Sequence, residues 1–234
     1  MIPILDNVRG RKKPIVTCFL IGINIAIFFW ELKLDLGGEL GSLVNNWGVI
    51  PAQINAAIAP ALAGNPAAWI FVVIRSSSLL AGMFLHGSFS QIIGNLLFLW
   101  VFGKSLEKSL GHKRFIIFYL LGGVFTGVVQ ILAEPNLTVP LIGANGAIAS
   151  ILGGYALKFP QAKVETVMPL LIIFVPITLP AGFYLFWWFV QQLFYGIGSL
   201  NIPGGFNQPT MGYWAQIAGL LIGAALMRLL QRRK

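Results

Sequence analysis

Apolar stretches long enough to cross a membrane alternate along the chain with short polar segments, and those polar segments are rich in Lys and Arg. A bilayer core about 30 Å thick is crossed by about 20 apolar helical residues, with about 17–25 tolerated. Six windows fit that pattern: Ile15 to Leu32; Ser88 to Phe102, extended upstream by Leu79 to Leu85; Phe115 to Ala133; Leu141 to Phe159; Ala181 to Tyr195; and Tyr213 to Leu230. They predict an all-α membrane protein, a bundle of six transmembrane helices forming one domain over residues 1–234. A further apolar stretch, Val167 to Leu179, comes with Pro169, Pro176 and Pro180. Proline removes a backbone donor and breaks helices, so this stretch is expected to be a bent or re-entrant approach, with a seventh span as the alternative.

Residues 1–14 are polar and basic, and no small-residue cleavage site follows Ile15 to Leu32, so that window reads as an uncleaved span. Between the first two spans lies a long loop, 33–87. Loops beyond about 12–15 residues usually carry structure or function of their own. Ile54 to Ala63 and Ala67 to Ile74 are apolar in parts, which predicts an amphipathic element lying at the membrane interface.

Composition narrows the class. The chain is 57% hydrophobic and only 10% charged, against about 25% charged residues in soluble domains. A soluble enzyme, a disordered chain and a disulfide scaffold are all excluded, the last also because Cys18 is the single cysteine. The net charge of +9 serves as a topology signal, since Lys and Arg favour cytoplasmic loops. With both termini inside, the inner segments hold Arg9, Arg11, Lys12 and Lys13; Lys104, Lys108, Lys113 and Arg114; Lys158 and Lys163; and Arg228, Arg232, Arg233 and Lys234. Lys33 and Arg75 are left outside, and Gly196 to Gly212 is uncharged. Positive charge spread over every inner loop forms no single aromatic-laced patch, which argues against a nucleic-acid partner.

Polar groups inside spans are costly and mark function or helix contacts. His86 and Asn95 stand around the second span, Asn145 near the outer start of the fourth, and Gln216 near the outer start of the sixth. Gln91 and Asn95, at i and i+4, share one helix face. Ala215, Gly219 and Gly223 recur every fourth residue and offer a close-approach face. Gly143 and Gly146 flank Asn145 and admit a neighbouring backbone, so the amides of Asn145 and Gln216 could meet across two helices. Two histidines on opposite sides of the membrane supply no three- or four-ligand metal site, and no cofactor is expected.

Together, Met83-Phe84-Leu85-His86 with Asn95 nine residues on, Phe102-Gly103 with Glu107 and Gly111-His112, Gly143-Ala144-x-Gly146, and Ala215-x-x-x-Gly219-x-x-x-Gly223 resemble the rhomboid family of intramembrane serine proteases, as does the start, Met1-Ile2-Pro3 with Pro14-Ile15-Val16-Thr17. The resemblance implies a six-helix bundle in which a serine of the fourth span is deprotonated by a histidine of the sixth, with oxyanion donors from the second. At those positions this chain has Asn145 for the nucleophile and Gln216 for the general base. Gln91 and Asn95 stand on the oxyanion side. A carboxamide has neither a nucleophilic hydroxyl nor a pKa suited to proton transfer near neutrality. The expectation is therefore a rhomboid-like pseudoprotease, with no intact catalytic residue, that binds transmembrane helices of other membrane proteins within the lipid bilayer. His86, Gly143 and Gly146 are the expected contacts in its cleft. The alternatives are an active intramembrane serine endopeptidase with atypical residues, and a transporter or channel. A bacterial-type cell membrane is the expected location.

Overall fold

The computed structural model describes residues 1–10, 13–170, 173–198 and 213–231. Arg11, Lys12, Arg232, Arg233 and Lys234, counted above as inner charges, and the uncharged loop from 199 to 212 lie outside the described residues. A short strand, β1 (Ile2–Asp6), precedes α1 (Ile15–Leu36). The long connection that follows is built of α2 (Leu40–Trp47), α3 (Pro51–Leu62), α4 (Pro66–Ser76), α5 (Ser78–Ala81) and one tight turn, Gly82–Phe84. Next come α6 (Phe89–Phe98), a wider turn over Leu99–Gly103, and α7 (Lys104–Leu110), which together make one helical path. The rest is α8 (His112–Ala133), α9 (Asn145–Lys158), the strands β2 (Lys163–Leu170) and β3 (Ile173–Pro180), α10 (Ala181–Gly198) and α11 (Tyr213–Leu230).

Among the described residues, four helical stretches are long and apolar enough to cross a membrane: Ile15–Leu36, Pro66–Phe84, Phe89–Leu110 and His112–Ala133. Three match expected windows. Pro66–Phe84 falls in the long loop and is assembled from α4, α5 and the tight turn, with Trp69, Ile70, Phe71, Val73 and Ile74 exposed.

Several expected boundaries move. Leu79 to Leu85 does not extend the second span, because Leu85 and Ser88 are both extended and the Ser88 hydroxyl accepts the Gln91 N–H to cap a new helix at Phe89. That helix runs on to Leu110, so Lys104 is buried within it and not in a loop. The fourth window begins as a helix only at Asn145, because Leu141 pairs with Val49 in an isolated bridge.

The all-α expectation is corrected by an antiparallel sheet in the order β1-β2-β3. Its two longer strands occupy the stretch expected to be re-entrant or a seventh span. Val164 and Thr166 are buried while Lys163 and Glu165 are exposed, a period of two. The prolines fit a strand edge. Ala181 donates its N–H to the Ala162 carbonyl at 2.7 Å, so in the alternating ladder the pairs Lys163↔Pro180 and Val167↔Pro176 are the ones without hydrogen bonds. Each missing proline N–H thus lies on the free edge, where it costs nothing. β1 is fixed by register with β2 from Ile2↔Val167 to Asp6↔Val164. Buried Asp6 also accepts from the Tyr155 hydroxyl at 2.9 Å and pairs with Lys104 Nζ at 3.5 Å.

The core sits where α8, α9 and α11 meet, with Phe102, Phe115, Phe118, Tyr119, Ile151 and Tyr155 fully buried. Small residues set the helix spacing there. A methyl on Gly223 would strike the Ser150 backbone, one on Gly153 the Leu220 carbonyl, and one on Gly219 the Ala149 side chain. The stripe Ala215, Gly219, Gly223 therefore lets α11 lie directly on α9, the close approach that small residues allow in membrane helix pairs.

Candidate functional site

A cavity of about 210 Å³ opens where α6, α9, α10 and α11 come together. Gln91 and Asn95 reach it from α6, Asn145 from the first turn of α9, and Gln216 from the first turn of α11. Phe98 of α6 and Trp188 of α10 supply the apolar wall. Among the described residues α10 packs on α9, α11 and the sheet and not closely on α6, so this wall runs along a seam between α6 and α10. Asn145 and Gln216 therefore share one cavity. They do not satisfy each other, because neither side chain makes a hydrogen bond among the described residues; the direct amide contact expected from the sequence is absent.

Gln91 lies on the cavity side but its amide is spent on the backbone. Its Oε1 accepts the Gly87 N–H at 2.9 Å, and its Nε2 donates to the Ile142 carbonyl at 2.9 Å. Gly143 makes this possible. It has φ +111°, a conformation that side chains disfavour, and a methyl there would collide with the Gln91 amide. The Gly143 N–H in turn donates to the Gly82 carbonyl at 2.8 Å. Gly146 faces the other way, against Thr126 of α8.

His86, Gly143 and Gly146, expected in the cleft, are not in the lining of this cavity. Gly143 and Gly146 border a smaller one of about 80 Å³ behind Asn145, toward α8, which Gln130 and Ala215 also line. There the Gln130 side-chain oxygen accepts the Ala215 N–H at 3.0 Å and ties α8 to the start of α11.

His86 is buried beneath the cleft, at 2% exposure. Its Nε2 meets Asn95 Nδ2 at 3.2 Å, its Nδ1 meets the Phe84 carbonyl at 3.2 Å, and its backbone N–H donates to the Glu31 carboxylate at 2.9 Å. Donor and acceptor roles agree only for a neutral ring protonated at Nδ1. Burial lowers the imidazole pKa to about 4, against a smaller opposing pull from the Phe84 carbonyl. Glu31, itself 2% exposed, did not emerge from the sequence reading, although a lone carboxylate inside the first apolar window was the signal for it.

A second buried carboxylate holds the opposite end of the bundle. Glu107 accepts from the Val16 and Thr17 N–H groups at 2.9 and 2.8 Å, from the Thr17 hydroxyl at 2.6 Å, and from His112 Nδ1 at 2.6 Å. It caps the open N-terminus of α1, where acidic groups are favoured, and joins it to α7 and α8.

The cavity presents carboxamides, which donate and accept hydrogen bonds but do not attack carbonyls or carry protons. Ser90, its one hydroxyl-bearing lining residue, faces Ser88 Oγ at 3.0 Å, while both ring nitrogens of His86 are engaged elsewhere. Among the described residues no three His, Cys, Asp or Glu side chains cluster closely enough to hold a metal ion.

Comparison with known proteins bears on this arrangement. A family model described as "Rhomboid domain" matches residues 74–233. The mouse "Presenilin-associated rhomboid-like protein, mitochondrial" is 31% identical over 112 residues, covering 47% of this chain and 28% of that protein. "Rhomboid protein 1, mitochondrial" of Saccharomyces cerevisiae is 34% identical over 96 residues, 39% of this chain and 28% of its own length. "Rhomboid-like protein 11, chloroplastic" of Arabidopsis thaliana is 27% identical over 150 residues, 64% of this chain and 50% of that one. The chain thus spans half or less of the length of these relatives. These relatives are named as mitochondrial or chloroplastic and give no support to a bacterial cell membrane.

Proposed function

The chain belongs to the rhomboid family, and from that premise we propose that it is a pseudoprotease, which holds transmembrane helices of client membrane proteins in its cleft without cutting them. The observation that carries this reading is the cavity shared by Asn95, Asn145 and Gln216. The positions that the family resemblance assigns to nucleophile and base face one space, and both bear carboxamides. Loss of a nucleophile or its base alone removes most catalysis in serine hydrolases, leaving what binding and the oxyanion site supply. Here both are replaced, so acyl transfer by the family's route has no starting point, while the space for a polypeptide remains.

The seam between α6 and α10, walled by Phe98 and Trp188, is the entry that suits a helix arriving sideways from the bilayer. A client helix gains by placing an unpaired polar group against these amides. Interhelical polar contacts in membranes average about 0.6 kcal/mol and reach about 2, which suits reversible capture. Six spans with both termini on the cytoplasmic side, as the distribution of basic residues implies, belong to the same reading, as does a single domain over 1–234.

The test uses the full chain in proteoliposomes, with a benzophenone amino acid in place of Trp188. Illumination should crosslink it to an added transmembrane peptide, the peptide should stay full length, and a fluorophosphonate probe should leave the chain unlabelled. Cleavage of the peptide that is lost in Asn145→Ala or Gln216→Ala, or stoichiometric serine labelling, would sink the proposal in favour of an atypical active protease.

A further inference from the structure

A third cavity, of about 290 Å³, lies away from the cleft, between α1, α2 and the end of the long connection. Its wall is apolar: Ile27 and Trp30 of α1, Leu43 and Trp47 of α2, Ala81 at the end of α5 and Phe84 in the tight turn after it. Trp30 and Trp47 are each about half exposed at its edge. Trp30 stands 15 residues along α1, about 22 Å from the helix start at 1.5 Å per residue. In a hydrocarbon core about 30 Å thick, that is the zone near the far boundary, where tryptophans gather at membrane interfaces.

Two basic residues stand near the segments that bear the tryptophans. Arg75 reaches the end of α2 that carries Trp47, donating from Nη1 to the carbonyls of Asn45 and Asn46 at 3.3 and 3.0 Å, with its guanidinium over the Phe71 ring at 5.7 Å from the centroid. Both hydrogen bonds use Nη1, and its other nitrogens make none among the described residues. Lys33 stands one turn beyond Trp30 on α1 and is exposed. Of the sixteen basic residues, the two that the charge pattern assigns to this side of the membrane are thus the two next to the pocket's tryptophans. The nearby acids, Asp35 and Glu39, are exposed along the turn from α1 into α2.

We propose that this pocket binds one acyl chain of an anionic phospholipid, with Arg75 holding the phosphate and Trp30 and Trp47 bracketing the glycerol region. An apolar wall edged by amphipathic tryptophans suits a hydrocarbon tail, and a guanidinium held at the end of α2 suits a phosphate. A lipid seated there would bridge α1 to the long connection, on the side of His86 away from the cleft.

The experiment is native mass spectrometry of the full chain released from nanodiscs of equal phosphatidylcholine and phosphatidylglycerol. The wild type should retain one phosphatidylglycerol per chain, preferred about fivefold over phosphatidylcholine, the factor that corresponds to about 1 kcal/mol for one basic group at an anionic lipid surface. Arg75→Gln, a change at the surface, should bring that preference to parity. Ala81→Phe and Leu43→Trp, which fill the cavity, should lose the retained lipid of either kind, with thermal unfolding used to confirm that each is folded. Equal retention of the two lipids by the wild type overturns the proposal. So does an unchanged preference in Arg75→Gln, retention unaltered in a folded pocket-filling variant, or a dimer in place of the lipid adduct, which would assign the pocket to a second copy of the chain.

Discussion

The Asn95 amide donates to His86 Nε2 at 3.2 Å, so the residue the family resemblance places on the oxyanion side is oriented from below by a buried imidazole. The bond requires the ring to be neutral. In the folded chain the imidazole pKa is about 4, below its ordinary 6.5. A depressed folded value means that the unfolded chain takes up the proton first as pH falls. The stability tied to neutral His86 is complete above about pH 6.5 and lost progressively toward pH 4. Thermal unfolding in detergent across that window should show the wild type losing stability more steeply than His86→Gln, which has no proton to gain.

Glu31 should reveal its role through the contrast between two replacements. Glu31→Gln keeps an oxygen for the His86 N–H, whereas Glu31→Leu leaves that buried donor without an acceptor. An orphaned buried group costs about 1–3 kcal/mol, so the leucine variant should be the less stable by about that amount in equilibrium unfolding. Equal stability of the two would show that the carboxylate does not carry the contact.

Glu107→Ala removes an acceptor on α7 that serves four donors from two other helices. Breaking a buried, charge-assisted arrangement costs about 3–5 kcal/mol, so this variant should be among the least stable of single substitutions away from the cleft. Thr17→Val, which deletes only the 2.6 Å hydroxyl bond, should cost about 1.5–3 kcal/mol, the range for a hydrogen bond to a charged group. Unfolding curves of the two variants and their combination would measure the coupling.

Gly223→Ala places a methyl against the Ser150 backbone, which has no side-chain freedom with which to yield. The α9–α11 contact must then open, and yield of folded protein should fall sharply. Gly22→Ala, with open space around it, should be tolerated. Size-exclusion profiles of the pair separate a packing effect from a general intolerance of alanine.

Asn145→Ser combined with Gln216→His rebuilds the resemblance's nucleophile and base in a cavity that already faces both positions. Weak fluorophosphonate labelling at the substituted position 145 is expected, and neither single change should produce it. Gln91 should be left as it is. Gln91→His gives up the bridge between the Gly87 N–H and the Ile142 carbonyl, at a cost of about 1–3 kcal/mol for the groups left unpaired.

The sequence disclosed what rests on local periodicity. Apolar windows located α1, α8 and α11, and the four-residue spacing of Ala215, Gly219 and Gly223 foretold the α9 contact. That Asn145 and Gln216 share a space followed from their places near the outer starts of their windows. The sheet was hidden because a span-length window averages over a period of two. The alternation Lys163, Val164, Glu165, Thr166 was present, but the prolines drew attention to broken helix when two of them, Pro176 and Pro180, mark a strand edge. Nor did spacing reveal where side-chain amides spend their hydrogen bonds. Gln91 has the position of an oxyanion donor, yet two backbone groups within reach claim it. His86 has the chemistry of a site residue and is used to orient one.

The pairing of Ile2 with Val167 also has a meaning for biosynthesis. β1 leaves the ribosome well before its partner, which is made about 165 residues later; at about 5–20 residues per second that is about 8–33 seconds. During that interval the helices between them must be inserted and packed with β1 still unpaired, and Lys104 and Tyr155 reach Asp6 only after their own helices are in place. Closure of the sheet therefore follows synthesis of α1 to α9, and a probe on β1 would report when that part of the bundle is in place.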